Sequence, residues 1–187
     1  MFKKLLLLSL LSIAFVYGVE EKKIQSVMTI KVKKALSILQ SKAFSQKQKE
    51  KKSIAIMDNI FDYKTMSKIS LGKQWKKLTL KQQKQFMISF EKKLKASYID
   101  KLKLYSNQKV ISKGLKKVKS NRITLKNDIV GKSETYTITY LFYKHKTKND
   151  WLIYDVKLAG VSVIQTYRKQ FSAFLKTKSF SQLLKSL

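Results

Sequence analysis

The sequence contains few side chains that could carry out chemistry, and these are scattered. His145 is the single histidine, and it lies in a polar stretch with no metal ligand or general base near it in sequence. Asp58 and Asp62 are four residues apart, but Asp62 stands where a helix N-cap is expected. Glu91 and Lys95 have the spacing of a helical ion pair. The sequence therefore predicts no catalytic site and no metal site, and we expect that the protein is not an enzyme.

Familiar enzyme motifs are absent from the sequence as well. The chain has no cysteine, which excludes disulfides, zinc–thiolate sites and thiol catalysis. It has neither a glycine-rich phosphate loop nor the strand-to-helix elbow that carries a nucleophilic serine. We therefore expect no cofactor.

The formal net charge is +30, and it is almost entirely lysine, because Arg122 and Arg168 are the only arginines. Arginine binds phosphates and the edges of bases better than lysine does, because its guanidinium forms two parallel hydrogen bonds. The aromatic residues also fall in apolar stripes rather than on basic faces, so nucleic acid is not an expected partner. The lysines predict instead a diffuse attraction to anionic surfaces.

The N-terminus has the pattern of a secretory signal peptide. It reads MFKKLLLLSLLSIAFVYGVEE, in which two lysines precede an apolar run of 12 residues, Leu5 to Val16. That run is too short to span a bilayer comfortably; the alternative is an uncleaved anchor or a buried helix. Val16 and Gly18 are small enough for the −3 and −1 positions of a cleavage site. We predict a signal peptide over residues 1–18, cleaved after Gly18. Losing its two lysines would lower the net charge from +30 to +28 and leave one exported domain, residues 19–187.

The first half of this domain has the period of amphipathic helices. Apolar residues recur every three or four positions between Ile24 and Leu39, and again over Phe86, Phe90 and Leu94. Cap residues predict three helix starts, at Ser45 with Gln48, at Asp62, and at Thr79 with Gln82. Gly72 predicts the end of the helix that begins at Asp62.

The second half changes to the alternation of β-strands. Strands are predicted over residues 121–130, 134–144 and 151–158, and a weaker one over 109–118. One apolar face is expected to contain Tyr136, Ile138, Tyr140 and Phe142, and in the last strand Leu152, Tyr154, Val156 and Leu158. Ser162 and Gln165 then predict the cap of a final long helix, followed by a short amphipathic tail. This order predicts the α+β fold class, with an antiparallel β-sheet of about four strands packed against several helices.

Bulky apolar side chains are abundant for one small domain, with ten phenylalanines, nine tyrosines and two tryptophans in the whole chain. In one interpretation they pack on one another as an ordinary core. In the other they line an apolar cavity between the sheet face and the long helix. The residues alone leave both interpretations open.

A set of motifs occurs in order along residues 24–175. The run Phe61-Asp62-Tyr63 is followed by Met66, Leu71-Gly72 and Trp75, and then by Gln83, Phe86, Phe90, Leu94 and Tyr98. The segments YSNQKV (105–110) and WLIYDVKLAGVSVIQTYRKQF (151–171) complete the set. Together these motifs resemble the MlaC family, also called toluene-tolerance proteins. Ile60 and Ala159 depart from the family pattern, in which a proline and an acidic residue are common at these positions.

The resemblance implies a soluble periplasmic carrier that binds phospholipid as cargo. Such carriers work between an inner-membrane ABC transporter with a ring-forming substrate-binding subunit and an outer-membrane lipoprotein complex, and they maintain outer-membrane lipid asymmetry. The implied fold is a strongly twisted antiparallel sheet packed against helices, enclosing a deep apolar pocket for the acyl tails. We expect a monomer, and low selectivity between head groups because an apolar grip on the tails is hardly directional.

The expected lipid-binding residues point inward both by sequence period and by position in the family. They are Phe86, Phe90, Leu94 and Tyr98 in the long helix, Ile138, Tyr140, Phe142, Tyr154 and Val156 in the strands, and Val163, Tyr167 and Phe171 in the last long helix. Among them, the hydroxyls of Tyr98, Tyr140 and Tyr167 are expected near the mouth of the pocket.

Two other interpretations remain open at the level of sequence. The chain could be an exported α+β binding module for another apolar ligand or for a protein partner. It could also be an exported enzyme on a similar scaffold, with His145 or Asp155 as the candidate residue. A bound diacyl lipid would distinguish the carrier from the binding module.

Overall fold

Helices form the first half of the chain, and a sheet followed by two more helices forms the second. The computed structural model describes residues 18–103, 109–131, 134–146 and 150–187. The helices are α1 (Ile24–Gln40), α2 (Gln46–Asp58), α3 (Tyr63–Leu71), α4 (Leu80–Lys103), α5 (Val163–Thr177) and α6 (Phe180–Lys185). Of the predicted signal peptide all but Gly18 lies outside the described residues, as do residues 105–108 of the YSNQKV motif. None of the described helices combines the length and the apolar character needed to cross a bilayer.

The predicted helix starts are confirmed. The Ser45 side chain accepts a hydrogen bond from the Gln48 backbone while the Gln48 side chain accepts one from the Ser45 backbone, which is a complete capping box at the start of α2. The Asp62 carboxylate accepts from the Thr65 backbone N–H at 2.8 Å and begins α3. Thr79 and Ser162 cap α4 and α5 in the same way. These starts follow from local hydrogen bonds, and so the sequence is sufficient to place them.

The sheet is a five-stranded antiparallel meander in the order β1-β2-β3-β4-β5. The strands are β1 (Lys109–Lys119), β2 (Arg122–Val130), β3 (Thr135–Lys144), β4 (Trp151–Leu158) and β5 (Val161–Ser162). Four of them match the four predicted strands, and the fifth is a two-residue addition next to β4. The predicted α+β class with an antiparallel sheet is thereby confirmed.

A β-bulge in β4 changes which side chains of this strand face the helices. Ile153 pairs with Phe142 of β3, but Val156 pairs with the next inward residue, Tyr140, so one extra residue lies between the two pairs. The predicted face of β4 is therefore wrong for Leu152 and Tyr154. Because directly opposed residues share a face, Leu152 lies with Tyr143 on the outer face of the sheet.

Tyr154 belongs to the same outer face. Its ring lies 6.0 Å from the ring of Tyr143, in an edge-on arrangement, and the Arg122 guanidinium lies 5.1 Å above it. The prediction that Tyr154 points toward the helices fails because a strict two-residue alternation contains no bulge.

The free edge of β4 is covered by three separate segments. Val19 exchanges backbone hydrogen bonds of 3.0 and 2.9 Å with Trp151, and β5 pairs with the other end of the strand. Between them, the Ile153 N–H donates to the Ile60 carbonyl and the Asp62 N–H donates to the Ile153 carbonyl. Satisfying these backbone groups protects the edge from pairing with another chain, and it fixes the loop between α2 and α3 against the sheet.

The two-residue turn between β4 and β5 contains a strained alanine. Ala159 and Gly160 have φ angles of 47° and 85°, as a two-residue hairpin requires. A non-glycine residue is disfavoured in this left-handed region, and asparagine is the side chain that tolerates it best.

We predict that Ala159→Asn stabilises the protein by about 0.5–1 kcal/mol, because it relieves this strain without altering the backbone. Urea denaturation would measure the change. Gly160→Ala is the matched control, because a Cβ at this position meets no atom within 4 Å. Its expected loss of about 1 kcal/mol in the free energy of unfolding would therefore come from the positive φ angle alone and not from a steric clash. A destabilised Ala159→Asn variant would contradict the prediction.

Candidate functional site

An apolar cavity of about 150 Å³ lies between α2, α4 and the inner face of the sheet. We call it the α2 cavity, and its lining is Ser53, Ile54, Met57, Phe61, Tyr63, Lys95, Tyr98, Ile138, Tyr140, Val156 and Leu158. The sheet wall consists of two cross-strand pairs, Ile138 with Leu158 and Tyr140 with Val156. The lining thus combines alternate residues of β3 and β4 with one face of α4 and the C-terminal part of α2.

The charged residue in this lining is Lys95, and its charge is compensated by two carboxylates. Its ammonium lies 2.8 Å from Asp58 and 2.6 Å from Glu91, and 5.0 Å from the centre of the Tyr63 ring. Burial by itself would lower the pKa of Lys95, but the hydrogen bonds to Asp58 and Glu91 raise it above its usual value. The sequence predicted the pair with Glu91; Asp58 and Tyr63 join it only in the folded chain. The group has one positive and two negative formal charges, and it forms a polar rim beside an apolar interior.

A second cavity of about 260 Å³ lies between α4, α5 and the turn after β4. We call it the α5 cavity, and its lining is Leu94, Ser97, Tyr98, Leu158, Val161, Ser162, Val163, Thr166, Tyr167 and Gln170. Tyr98 and Leu158 line both cavities. Four of the lining residues, Ser97, Ser162, Thr166 and Gln170, are polar, and the others are apolar or aromatic.

Seven of the twelve predicted lipid-binding residues line one or both cavities. Tyr98, Ile138, Tyr140 and Val156 line the α2 cavity, and Leu94, Tyr98, Val163 and Tyr167 line the α5 cavity. Whether they contact lipid stays a prediction. Their position on a cavity wall agrees with their sequence period, which identifies inward-facing positions.

Four other predicted residues lie in the solid core. Phe86, Phe90, Phe142 and Phe171 are almost completely buried and line neither cavity. Phe90 contacts Phe86 and Phe171 at ring-centre distances of 5.4 Å each. Sequence period cannot separate such residues from cavity residues, because both point inward. The twelfth residue, Tyr154, lies on the outer face as described above.

Several residues that line the α2 cavity were not among the lipid-binding residues predicted from the sequence. Ile54 and Met57 come from α2, and Phe61 and Tyr63 from the loop and first turn that follow it. The sequence did contain indications for three of the lining residues. Phe61 and Tyr63 belong to the motif that resembles the family, and Leu158 follows Val156 by two residues in β4 and so lies on the same face of the sheet. Nothing in the sequence indicated that α2 would form a wall of this cavity.

The phenol groups of the cavity walls differ in their hydrogen bonds. The Tyr63 hydroxyl donates to Asp58 at 2.9 Å, and the Tyr167 hydroxyl lies 3.0 Å from the Ser97 hydroxyl. The Tyr98 hydroxyl is buried and has no partner among the described residues. Burial, and secondarily the neighbouring Tyr136, raises the pKa of Tyr140 to about 12. At neutral pH the Tyr140 hydroxyl can therefore act as a hydrogen-bond donor.

Asp155 performs a structural task. Its carboxylate is buried and accepts hydrogen bonds from the backbone N–H groups of Val156 and Ile164 and from the Ser162 hydroxyl. This places a negative charge at the start of α5, where the helix dipole favours it. His145 lines neither cavity. In the described part of the chain, no group of three or more His, Cys, Asp or Glu side chains is placed to hold a metal ion.

Comparison with known proteins gives one family and a structural match. The family model described as "MlaC protein" matches residues 30–187. Among solved structures, the chain is similar to the phospholipid-binding protein from Ralstonia solanacearum, solved in complex with a phospholipid, with a TM-score of 0.73. The two are 22% identical, and the match covers 86% of this chain and 92% of that one; at this identity it demonstrates the shared fold. The search of curated proteins gave no match.

We predict that the buried phenol of Tyr140 makes the folded state sensitive to alkaline pH. A phenol in the unfolded chain ionises near pH 10, whereas Tyr140 stays neutral up to about pH 12. Its contribution to stability is thus complete below pH 10 and is lost as the pH rises toward 12, by about 1.4 kcal/mol per pH unit.

Urea denaturation of the wild type and of Tyr140→Phe at pH 9 and pH 11.5 would measure this effect. The lysines titrate in both proteins, so their contribution cancels in the comparison. We expect the variant to lose less stability than the wild type on going to the higher pH. Equal losses would contradict the prediction.

Proposed function

Since the chain belongs to the MlaC family, we propose that it carries phospholipid across the periplasm in the apolar space between its sheet and its helices. The observation that carries this proposal is the pair of adjoining apolar cavities, which share Tyr98 and Leu158. The relative from Ralstonia solanacearum, which has the same fold, was solved with a phospholipid bound.

A carrier of this kind meets a physical need. A diacyl lipid exposes about 30 CH₂ groups, and at roughly 0.8 kcal/mol each its transfer to water costs on the order of 20 kcal/mol. The lipid therefore cannot cross an aqueous compartment alone at a useful rate. A protein with an apolar interior and a highly charged exterior hides the acyl chains and remains soluble.

The proposal includes the export and the partners that the family implies. The signal peptide over residues 1–18 would deliver the domain to the periplasm. There it would exchange lipid with an inner-membrane ABC transporter and an outer-membrane lipoprotein complex, as the soluble component that maintains outer-membrane lipid asymmetry. The energy for any uphill step would come from the transporter, because the sequence shows no nucleotide-binding loop of its own.

We predict that filling the α2 cavity abolishes lipid binding. Ile138→Trp puts a large side chain into the cavity, whereas Thr139→Trp, one residue later, puts the same side chain on the outer face of β3. Native mass spectrometry of detergent-free protein should show phospholipid on the wild type and on Thr139→Trp, and at least tenfold less on Ile138→Trp. Circular dichroism would confirm that both variants fold.

A wild-type protein that is purified without bound lipid and takes up no lipid from vesicles would overturn the carrier proposal. The chain would then be a binding module for another ligand or for a protein. Equal lipid loading of the two tryptophan variants would show that lipid binds elsewhere on the protein.

We also predict that lipid transfer to membranes depends on salt. A surface with a net charge near +28 is attracted to anionic head groups, and salt screens this attraction over about 8 Å at physiological ionic strength. Transfer to vesicles containing phosphatidylglycerol should slow as salt rises from low to high concentration. Transfer to vesicles of phosphatidylcholine should change little, and equal behaviour of the two vesicle types would contradict the prediction.

A further inference from the structure

The α2 cavity and the α5 cavity adjoin, because two side chains line both of them. Tyr98, on α4, and Leu158, at the end of β4, line both cavities. Leu158 is held by its pairing with Ile138 across the sheet. We call these two side chains the Tyr98–Leu158 partition; a ligand that entered on both sides of it would occupy a forked space with two branches, the α2 cavity and the α5 cavity.

The Tyr98 hydroxyl at this junction is an unused hydrogen-bonding group. It is buried and has no partner among the described residues, although the hydroxyls of Tyr63 and Tyr167 in the same walls are bonded. Burial raises the pKa of Tyr98, so the group remains protonated and can donate. A buried polar group without a partner costs free energy, and a ligand that supplies an acceptor would recover it.

The Tyr98 ring packs against Phe61, in the loop between α2 and α3. Its centre lies 5.8 Å from that of Phe61, and the backbone on either side of Phe61 is hydrogen-bonded to Ile153 of β4. The ring thus packs against a segment that is itself anchored to the sheet.

Neither branch can hold a complete ligand by itself. A cavity of 150 Å³ accommodates a molecule of about the size of benzene, and the two branches have volumes of about 150 and 260 Å³. A lipid must therefore widen the site as it enters. A molecule with two acyl chains that diverge from one ester-linked centre fits the fork, with its ester carbonyl at the junction. A single-chain lipid would leave one branch empty.

We propose that Tyr98 determines specificity for two-chain lipids: its ring directs one chain into each branch, and its hydroxyl donates a hydrogen bond to an ester carbonyl where the chains join. This inference rests on the proposed function. It adds that the protein discriminates by the number of chains, although its grip on each chain is apolar.

The test compares the affinities of dioleoyl phosphatidylglycerol and its single-chain lyso counterpart for delipidated protein, in competition monitored by native mass spectrometry. We expect the wild type to prefer the two-chain lipid at least tenfold. Tyr98→Phe should lower affinity for the two-chain lipid about fivefold, the effect of one neutral hydrogen bond. The same substitution should raise the melting temperature of the lipid-free protein, because it removes an unpaired buried hydroxyl.

Tyr143→Phe is the matched control, because its hydroxyl lies on the outer face of the sheet and is hydrogen-bonded to Asp62. Its melting temperature should fall and its lipid preference should not change. Leu158→Ala opens the partition from the sheet side, and it should lower the two-chain preference even if variants at Tyr98 fold poorly.

The possible outcomes separate this inference from the proposed function. A wild type that binds neither lipid overturns the proposed function, and this inference with it. A wild type that binds both lipids equally, or a Tyr98→Phe variant with unchanged affinity and a lower melting temperature, overturns the role of Tyr98 alone.

Discussion

The β-bulge in β4 is the feature on which both the core and the cavities depend. On its N-terminal side, Ile153 faces the helices opposite Phe142; on its C-terminal side, Val156 and Leu158 face them. If β4 alternated strictly, either Ile153 or both Val156 and Leu158 would point to the outer face of the sheet. The extra residue lets one strand complete the solid core at one end and form the cavity wall at the other.

Directly after the bulge, Asp155 connects β4 to the start of α5. Its buried carboxylate accepts hydrogen bonds from the Ile164 N–H and the Ser162 hydroxyl. Losing such a buried, fully paired carboxylate would leave several donors unsatisfied. The start of α5, which contributes Ser162 and Val163 to the α5 cavity, is thus anchored to β4 next to the bulge.

Along α4 the packing changes from solid core to cavity wall. Phe86 and Phe90 are fully buried against Phe171 of α5, and about two turns later Tyr98 lines both cavities. Close packing at one end stabilises the fold and allows the other end to remain incompletely filled. A binding protein needs this division, because space reserved for a ligand cannot also contribute packing energy to the empty protein. The predicted carrier activity and the stability of the fold therefore depend on different ends of the same helix.

The sequence by itself determined the helix starts, the positions of the four long strands and the α+β class, because these depend on residues close together in the chain. The cap at Asp62 and the inward direction of Tyr140 were predictable for this reason. Only the tertiary structure decided that Tyr154 faces outward, that Met57 lines the α2 cavity, and that Phe90 is core while Tyr98 is cavity wall. Each of these outcomes depends on contacts between distant segments, and an apolar period indicates only which way a side chain points and never whether another side chain fills the space it faces.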